Sequence, residues 1–372
     1  MLHTVVMAGG AGTRFWPESR ARQPKQVLSL ASGKTLLRAT VDRLGDLTGP
    51  GRLWVATTAA LAGRVVEQLP EVPVEQMVVE PCGRNTAPCI GLAAMYILLR
   101  DPEATMIVAP ADHMIEPDET LRSALRLAVD LVEDDPDWIV TFGVRPAGPD
   151  EAYGYIERGE RFQPAAVALG LTPDGAAADA PPVYRVRLFR EKPTAERARQ
   201  YVNKGTFYWN SGIFVWKAAT ILDALRRHQP ELHQRLARIR EAIGTSHLVE
   251  ALRREFAAVQ PLSIDHAVLE HAGETLVVEA PFRWADLGSW RSLAQLLGAD
   301  AEGNTIAARH IGLGTADTIV RSTDNHLIAT IGLKDLIIVH TPDATLVANR
   351  HDEQAVRELV EQLRQRGWVE YL

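Results

Sequence analysis

Leu2-His3-Thr4-Val5-Val6-Met7-Ala8-Gly9-Gly10-Ala11-Gly12-Thr13-Arg14 decides the fold. An apolar, β-branched run of strand length passes directly into closely spaced glycines. Its apolar character is continuous rather than alternating, as expected of a strand covered on both faces in a parallel sheet. Four similar runs follow at Arg52–Thr57, Glu75–Glu80, Thr105–Pro110 and Trp138–Val144. Between them, Thr35–Leu44, Ala59–Leu69, Thr86–Leu99 and Thr120–Val132 carry helical spacing. This β–α–β rhythm predicts an α/β fold, a Rossmann-like mainly parallel sheet with helices on both faces. Ligands of such sheets bind beyond the carboxyl ends of the strands, which is where the glycine loop falls.

From about residue 150 the rhythm breaks. Tyr153–Arg158 and Val183–Arg190 read as strands around an Ala/Pro/Gly-rich stretch, Pro164–Pro182, expected to be a variable surface loop. Helical segments follow at Ala195–Asn203, Ala218–Arg227, Glu231–Ile243 and Leu248–Phe256. After Asn304 come short strands at Thr318–Ser322, His326–Ile331 and Leu336–Thr341, then a charged helix over Asp352–Arg366. The loop Gly298–Gly303 sets an expected boundary: a catalytic domain over 1–300, and a small β-rich, β-helix-like module with a C-terminal helix over 301–372.

The 372 residues, 46% hydrophobic and 23% charged, are enough to bury a large core. A net charge of −7 argues against coating nucleic acid by bulk charge. Cys82 and Cys89 fit neither a disulfide framework nor a structural zinc spacing, so a reducing, cytoplasmic setting is expected. The first apolar run is too short for a signal-peptide core and has no basic leader. No stretch is apolar for the length of a membrane span, so no membrane partner is expected.

The glycine loop lets backbone N–H groups approach an anion closely. It is not a dinucleotide fingerprint, because Phe15 stands where Gly is needed, and Leu28 breaks a Walker A reading ending at Gly33-Lys34-Thr35. A tight structural turn is the competing explanation. Arg14, Arg20, Arg22 and Lys25 weigh against it, since four cations fall within twelve residues and only Glu18 interrupts them. Cations beside a backbone nest suit a polyphosphate.

Taken together, Gly9 to Arg20 with Pro24-Lys25-Gln26 resembles the signature of the sugar-1-phosphate nucleotidyltransferases. Trp16, Pro24-Lys25-Gln26 and Pro81-Cys82-Gly83-Arg84-Asn85-Thr86-Ala87-Pro88 are most similar to the mannose-1-phosphate guanylyltransferase family. Further resemblances follow in order at Pro110-Ala111-Asp112-His113, Tyr153-Gly154-Tyr155-Ile156, Glu191-Lys192-Pro193, Trp209-Asn210-Ser211-Gly212, Ser263-Ile264-Asp265 and Trp284-Ala285-Asp286-Leu287-Gly288-Ser289. The chain ends before the cupin-like isomerase domain of longer relatives, so the resemblance implies a monofunctional enzyme. Residues 304–348 resemble the family's β-helical tail only weakly.

The resemblance implies nucleotidyl transfer from GTP to mannose 1-phosphate, giving GDP-mannose and pyrophosphate with the help of Mg2+. The nucleophile is a phosphate oxygen already largely ionised near neutral pH, so positioning and charge stabilisation suffice. Gly9, Gly10, Gly12 and Thr13 are implied to cradle the nucleotide, and Arg14 and Lys25 to neutralise its phosphates. Arg84, Asn85 and Thr86 are implied at the nucleotide edge, with Thr86 also expected to cap the following helix. Asp112 and Asp286 are the implied metal ligands; the plainer alternatives are helix capping for Asp112 and a loop hydrogen bond to Gly288 or Ser289 for Asp286. Gly154, Glu191, Lys192 and Asn210 are implied to hold the sugar phosphate, with an ordinary surface Glu–Lys pair as the alternative for residues 191–192. Trp209 and Trp284 are expected to support the pocket by packing. Two competitors stay open: a nucleotidyltransferase using another nucleotide or hexose phosphate, and a non-catalytic regulatory homologue. Against the latter, Arg14, Lys25, Asp112 and Asp286 are all present. Nucleic acid is not an expected partner, because the basic cluster is confined to one loop. Self-association as a homo-oligomer through the β-rich tail is left open.

Overall fold

The computed structural model describes residues 1–372 apart from 11, 22, 31–32, 50, 164–179 and 353–354. Most of the Ala/Pro/Gly-rich stretch expected to be a surface loop therefore lies outside the described residues, as does Arg22 of the cation cluster. The chain forms two compact units, one of residues 1–9, 41–110 and 115–284, the other of residues 10–40, 111–114 and 285–372.

The first unit is built on a nine-stranded sheet, ordered β3-β2-β1-β4-β9-β6-β10-β8-β7. Its expected strands form at β1 (Leu2–Met7), β2 (Leu53–Thr58), β3 (Met77–Glu80) and β4 (Thr105–Pro110). A three-residue strand, β5 (Met114–Glu116), lies outside this sheet and precedes β6 (Ile139–Val144), β7 (Tyr155–Phe162) and β8 (Val183–Arg190). Strands β1 to β4 pair in parallel, so Met7, Thr58, Glu80 and Pro110 all end at one edge. Two strands escape the sequence pattern, β9 (Phe207–Lys217) and β10 (Thr275–Glu279). β9 runs antiparallel between β4 and β6, and Asn210-Ser211-Gly212 interrupts its otherwise apolar, largely buried run.

Helices α1 (Leu36–Leu44), α2 (Ala62–Gln68), α3 (Thr86–Leu98) and α4 (Asp118–Asp134) form where the spacing places them, within a few residues. α4 buries Leu121, Ala124, Leu125, Ala128, Leu131 and Val132, the stripe its 3.6-residue period dictates. α3 is apolar almost all round and sits in the core. Its Gly91 admits a close neighbour, since a Cβ there would fall 2.5 Å from a methyl of Leu236. Leu236 lies on α7 (Pro230–Ala242), which follows α5 (Ala195–Lys204) and α6 (Ala218–His228). The segment expected as one helix over 248–256 begins as α8 (Leu248–Ala251) and widens into a π turn over Leu252–Phe256.

The second unit has its own core. Phe15, Trp16, Leu28 and Leu30 pack with Leu287 and Trp290, and with Ile319, Ile337, Val339, Val356 and Val360. Phe15 meets the Trp290 ring edge-on at 4.8 Å. Trp290 opens α9 (Trp290–Leu297), which Ser289 caps by accepting from the Ser292 N–H. After β11 (Arg283–Ala285), the chain winds through β12 (Thr305–Ala307), β13 (Arg309–Leu313), β14 (Ile319–Ser322), β15 (Leu327–Ile331), β16 (Leu336–Thr341) and β17 (Ala344–Asn349). β12, β14 and β16 stack in parallel on one face, while β13 and β15 do so on another. This is the β-helix expected from the short strands, closed by the antiparallel β17. The last helix, α10 (Val356–Gln365), buries Val356, Val360 and Leu363 in the same core. Among the described residues, no helix is long and apolar enough to cross a membrane.

Candidate active site

In the second unit the glycine loop turns against the segment carrying Lys25. Gly12 has a left-handed backbone, φ 59°, and a Cβ there would lie 2.4 Å from Lys25 Cβ and 2.8 Å from its backbone nitrogen. Only glycine fits. Gly10 lies close to Gln26, whose Nε2 would be 3.0 Å from a Cβ at that position. Thr13-Arg14-Phe15 then forms a single 3₁₀ turn, pinned by Phe15 N–H and Ser19 Oγ donating to the Gly12 carbonyl.

Lys25 is buried, and its ammonium donates to Asp112 Oδ2 at 2.8 Å and to the Asp286 carbonyl at 2.7 Å. Burial by itself would raise the Asp112 pKa, but Lys25 and His113 outweigh it and hold the carboxyl below its ordinary value. The Asp286 carboxylate accepts the Gly288 N–H at 2.9 Å, so the plainer loop bond is present. The Asp112 carboxylate and the Asp286 main-chain carbonyl thus meet at one ammonium. An ammonium carries three donors, and two are engaged among the described residues.

The cation cluster separates by role. Arg20 is spent on structure, donating to the Pro17 carbonyl and pairing with Asp343. Arg14, by contrast, has a buried Nε that finds no acceptor among the described residues.

In the first unit, Gly9 follows β1 at the carboxyl edge, and a Cβ there would touch Glu80 Oε2 at 3.4 Å. The sequence alone assigns Glu80 no role, since an acidic residue ending a strand looks solvated. It is instead buried, with Oε1 unpartnered among the described residues. Burial pushes its pKa up to about 7, against a bond from Cys89 that lowers it.

Arg84, Asn85 and Thr86 each bond within this unit, and the buried Arg84 Nε finds no acceptor among the described residues. Asn85, not Thr86, caps α3, accepting the Thr86 N–H at 2.8 Å, because only residue 85 lies outside the helix with a non-helical backbone. Thr86 Oγ1 accepts the Ile264 N–H at 2.8 Å, and Arg84 donates to the Ala257 carbonyl.

The residues assigned to the sugar phosphate meet in one cluster of the same unit. Asn210 N–H donates to the Gly154 carbonyl at 2.8 Å, and its amide nitrogen to Asp265 Oδ1 at 3.0 Å. Thr141 Oγ1 donates to its amide oxygen at 3.1 Å. A Cβ on Gly154 would fall 2.5 Å from Glu191 Oε2, so the glycine makes room for that carboxylate. Glu191 is nearly buried and ion-paired with Lys192, which is exposed and left-handed at φ 44°. Asp265 belongs to one of the resembling motifs, yet its motif alone assigns it no role. Burial, then the neighbouring Glu191, push its pKa up to about 7. Tyr153 packs against Trp209 at 4.7 Å and Trp284 at 5.3 Å, the support expected of those tryptophans.

Comparison with known proteins identifies the family. Residues 3–303 match the nucleotidyl transferase family, and residues 308–363 match the mannose phosphate isomerase/GMP-like β-helix domain. The chain belongs to the nucleotidyl transferase superfamily and, within it, to the mannose-1-phosphate guanylyltransferase family. Mannose-1-phosphate guanylyltransferase of Escherichia coli K12 is 35% identical over 375 residues, which cover 100% of this chain and 75% of that protein. ManC of Salmonella typhimurium is 36% identical over 378 residues, with the same coverage. A crystal structure from Thermus thermophilus, of a protein named mannose-1-phosphate geranyltransferase, superposes with a TM-score of 0.82 at 33% identity. The match covers 98% of this chain and 99% of that one.

Proposed function

We propose that the protein transfers the GMP moiety of GTP to mannose 1-phosphate. A phosphate oxygen of the sugar attacks the α-phosphorus, the bond from that phosphorus to the bridging oxygen breaks, and pyrophosphate leaves. No proton need move, because the attacking oxygen is already ionised. The observation that carries this reading is the second unit's convergence of glycine loop, Lys25, Asp112 and Asp286, with the buried Arg14 Nε of the same loop finding no acceptor among the described residues.

Each part has a task in that reaction. The backbone of Gly9, Gly10, Gly12 and Thr13 cradles the triphosphate, and Arg14 and Lys25 stabilise charge on the departing pyrophosphate. Asp112 and Asp286 would hold Mg2+. The donor set fits, since the Asp112 carboxylate and the main chain of Asp286 already meet at Lys25, which brings both aspartates to one place, and magnesium needs few protein oxygens beside phosphate oxygens and water. When bound, the ion would supply Lewis-acid stabilisation of phosphoryl charge. Glu80 favours guanine: a carboxylate accepts from both the N1–H and the exocyclic amine of that base, whereas uracil and thymine offer one ring N–H and adenine presents an acceptor at N1. Asn210, Asp265, Glu191 and Lys192 offer acceptors for sugar hydroxyls and a cation for the sugar phosphate. Arg84, Asn85 and Thr86 shape the edge beside the base. The catalytic machinery is assigned to 1–300 and the β-rich module to 301–372.

A pyrophosphate-release assay with magnesium, pairing GTP, ATP, UTP or dTTP with mannose or glucose 1-phosphate, tests this. Release confined to GTP with mannose 1-phosphate supports it. Turnover with another pair overturns the substrate assignment, and silence from folded protein favours the regulatory homologue.

A further inference from the structure

We propose that Arg357, on the C-terminal helix, is a phosphate-binding residue that joins Arg14 on the pyrophosphate end of the nucleotide. This rests on the nucleotidyl-transfer reading and adds a residue more than three hundred positions beyond the glycine loop.

The geometry begins with the helix. α10 packs directly on the Thr13–Phe15 turn, with Val356 and Val360 in one core with Phe15 and Trp16. The chain end is fastened to the same turn, because Trp16 Nε1 donates to the Tyr371 carbonyl at 2.8 Å. Arg357 therefore occupies the first turn of a ten-residue helix that rests on the segment carrying Arg14.

Charge makes the second argument. Several other arginines of this unit are matched: Arg20 with Asp343, Arg321 with Glu18, and Arg364 with Glu361. Arg14 and Arg357 have no such carboxylate among the described residues, although they are close enough to repel. Arg357 is exposed at the surface, and partial desolvation first, with the Arg14 charge next, lowers its pKa. Two neighbouring guanidiniums with no counter-ion are unfavourable in the free protein and favourable once a multiply charged anion lies between them. Each can offer a two-pronged donor set to phosphate oxygens. A polyphosphate uses both, whereas a single phosphate ester needs only one.

Calorimetric titration of inorganic pyrophosphate in magnesium buffer tests the assignment without requiring turnover. We expect Arg357→Ala to weaken binding by about tenfold, the usual scale for losing a charge-assisted contact. Arg357→Lys should recover only part of that loss, and Arg364→Ala, on the same helix, should bind as the unsubstituted protein does. Affinity in Arg357→Ala within about twofold of the unsubstituted protein, or no binding by the unsubstituted protein, overturns the proposal. In the reverse reaction, Arg357→Ala should raise KM for pyrophosphate and leave KM for GDP-mannose nearly unchanged. If no nucleotide and sugar pair turns over, yet pyrophosphate binding still depends on Arg357, the functional reading falls and this assignment stands.

Discussion

Gly12 and Lys25 touch so closely that the space for a Cβ at one is filled by the backbone and Cβ of the other. Gly12→Ala must therefore move Lys25 as well as strain its own left-handed backbone. We expect a loss of about 2–3 kcal/mol in stability together with a large fall in kcat. Thermal unfolding and steady-state assays check this. Unchanged stability would show that the loop yields without cost.

Removing the Lys25 ammonium leaves Asp112 without its main partner. Lys25→Met should cost about 2 kcal/mol and nearly all activity, while Lys25→Arg should keep the charge but not the two-acceptor geometry. The pH sign follows from the depressed Asp112 pKa. Its stabilisation is complete above the unfolded carboxylate value near 4 and is lost as pH falls through the lower folded value. Acid unfolding of Asp112→Asn should therefore show a shallower slope in that window.

Glu80 behaves in the opposite sense. Its folded pKa of about 7 lies above the ordinary 4.5, so the folded state holds the extra proton between those values. Stability should fall by about 3 kcal/mol as pH rises from the unfolded value to beyond the folded one, and Glu80→Gln should remove that slope. The same variant should lose discrimination for GTP over ATP. Intact discrimination would remove Glu80 from base recognition.

Gly154→Ala would drive Glu191 out of place, given the 2.5 Å approach to Oε2. We expect KM for mannose 1-phosphate to rise by about tenfold or more with KM for GTP little changed. An equal rise for both substrates would contradict the sugar-side assignment.

The parts legible in the sequence are those fixed by local chemistry. Val5-Val6-Met7 running into glycines specifies a buried strand and a tight glycine loop within a dozen residues, and Lys25 and Asp112 follow in recognisable motifs. β9 is hidden because Asn210-Ser211-Gly212, the polar centre it places beside Asp265, looks like a turn. Glu80 is hidden because its burial comes from packing against Cys89, nine residues further along, and against the loop at Gly9. Arg357 lies furthest from view, since no local pattern reports what a C-terminal helix will rest upon.

The unit that holds the glycine loop joins residues 10–40 with residues 285–372. During synthesis, Phe15 and Trp16 leave the ribosome hundreds of residues before Trp290, Val356 and Tyr371, against which they settle. At ordinary elongation rates the nascent loop waits on the order of tens of seconds with its aromatic side chains uncovered. A polypeptide released prematurely would thus carry every residue of the glycine motif and still lack the support that shapes it.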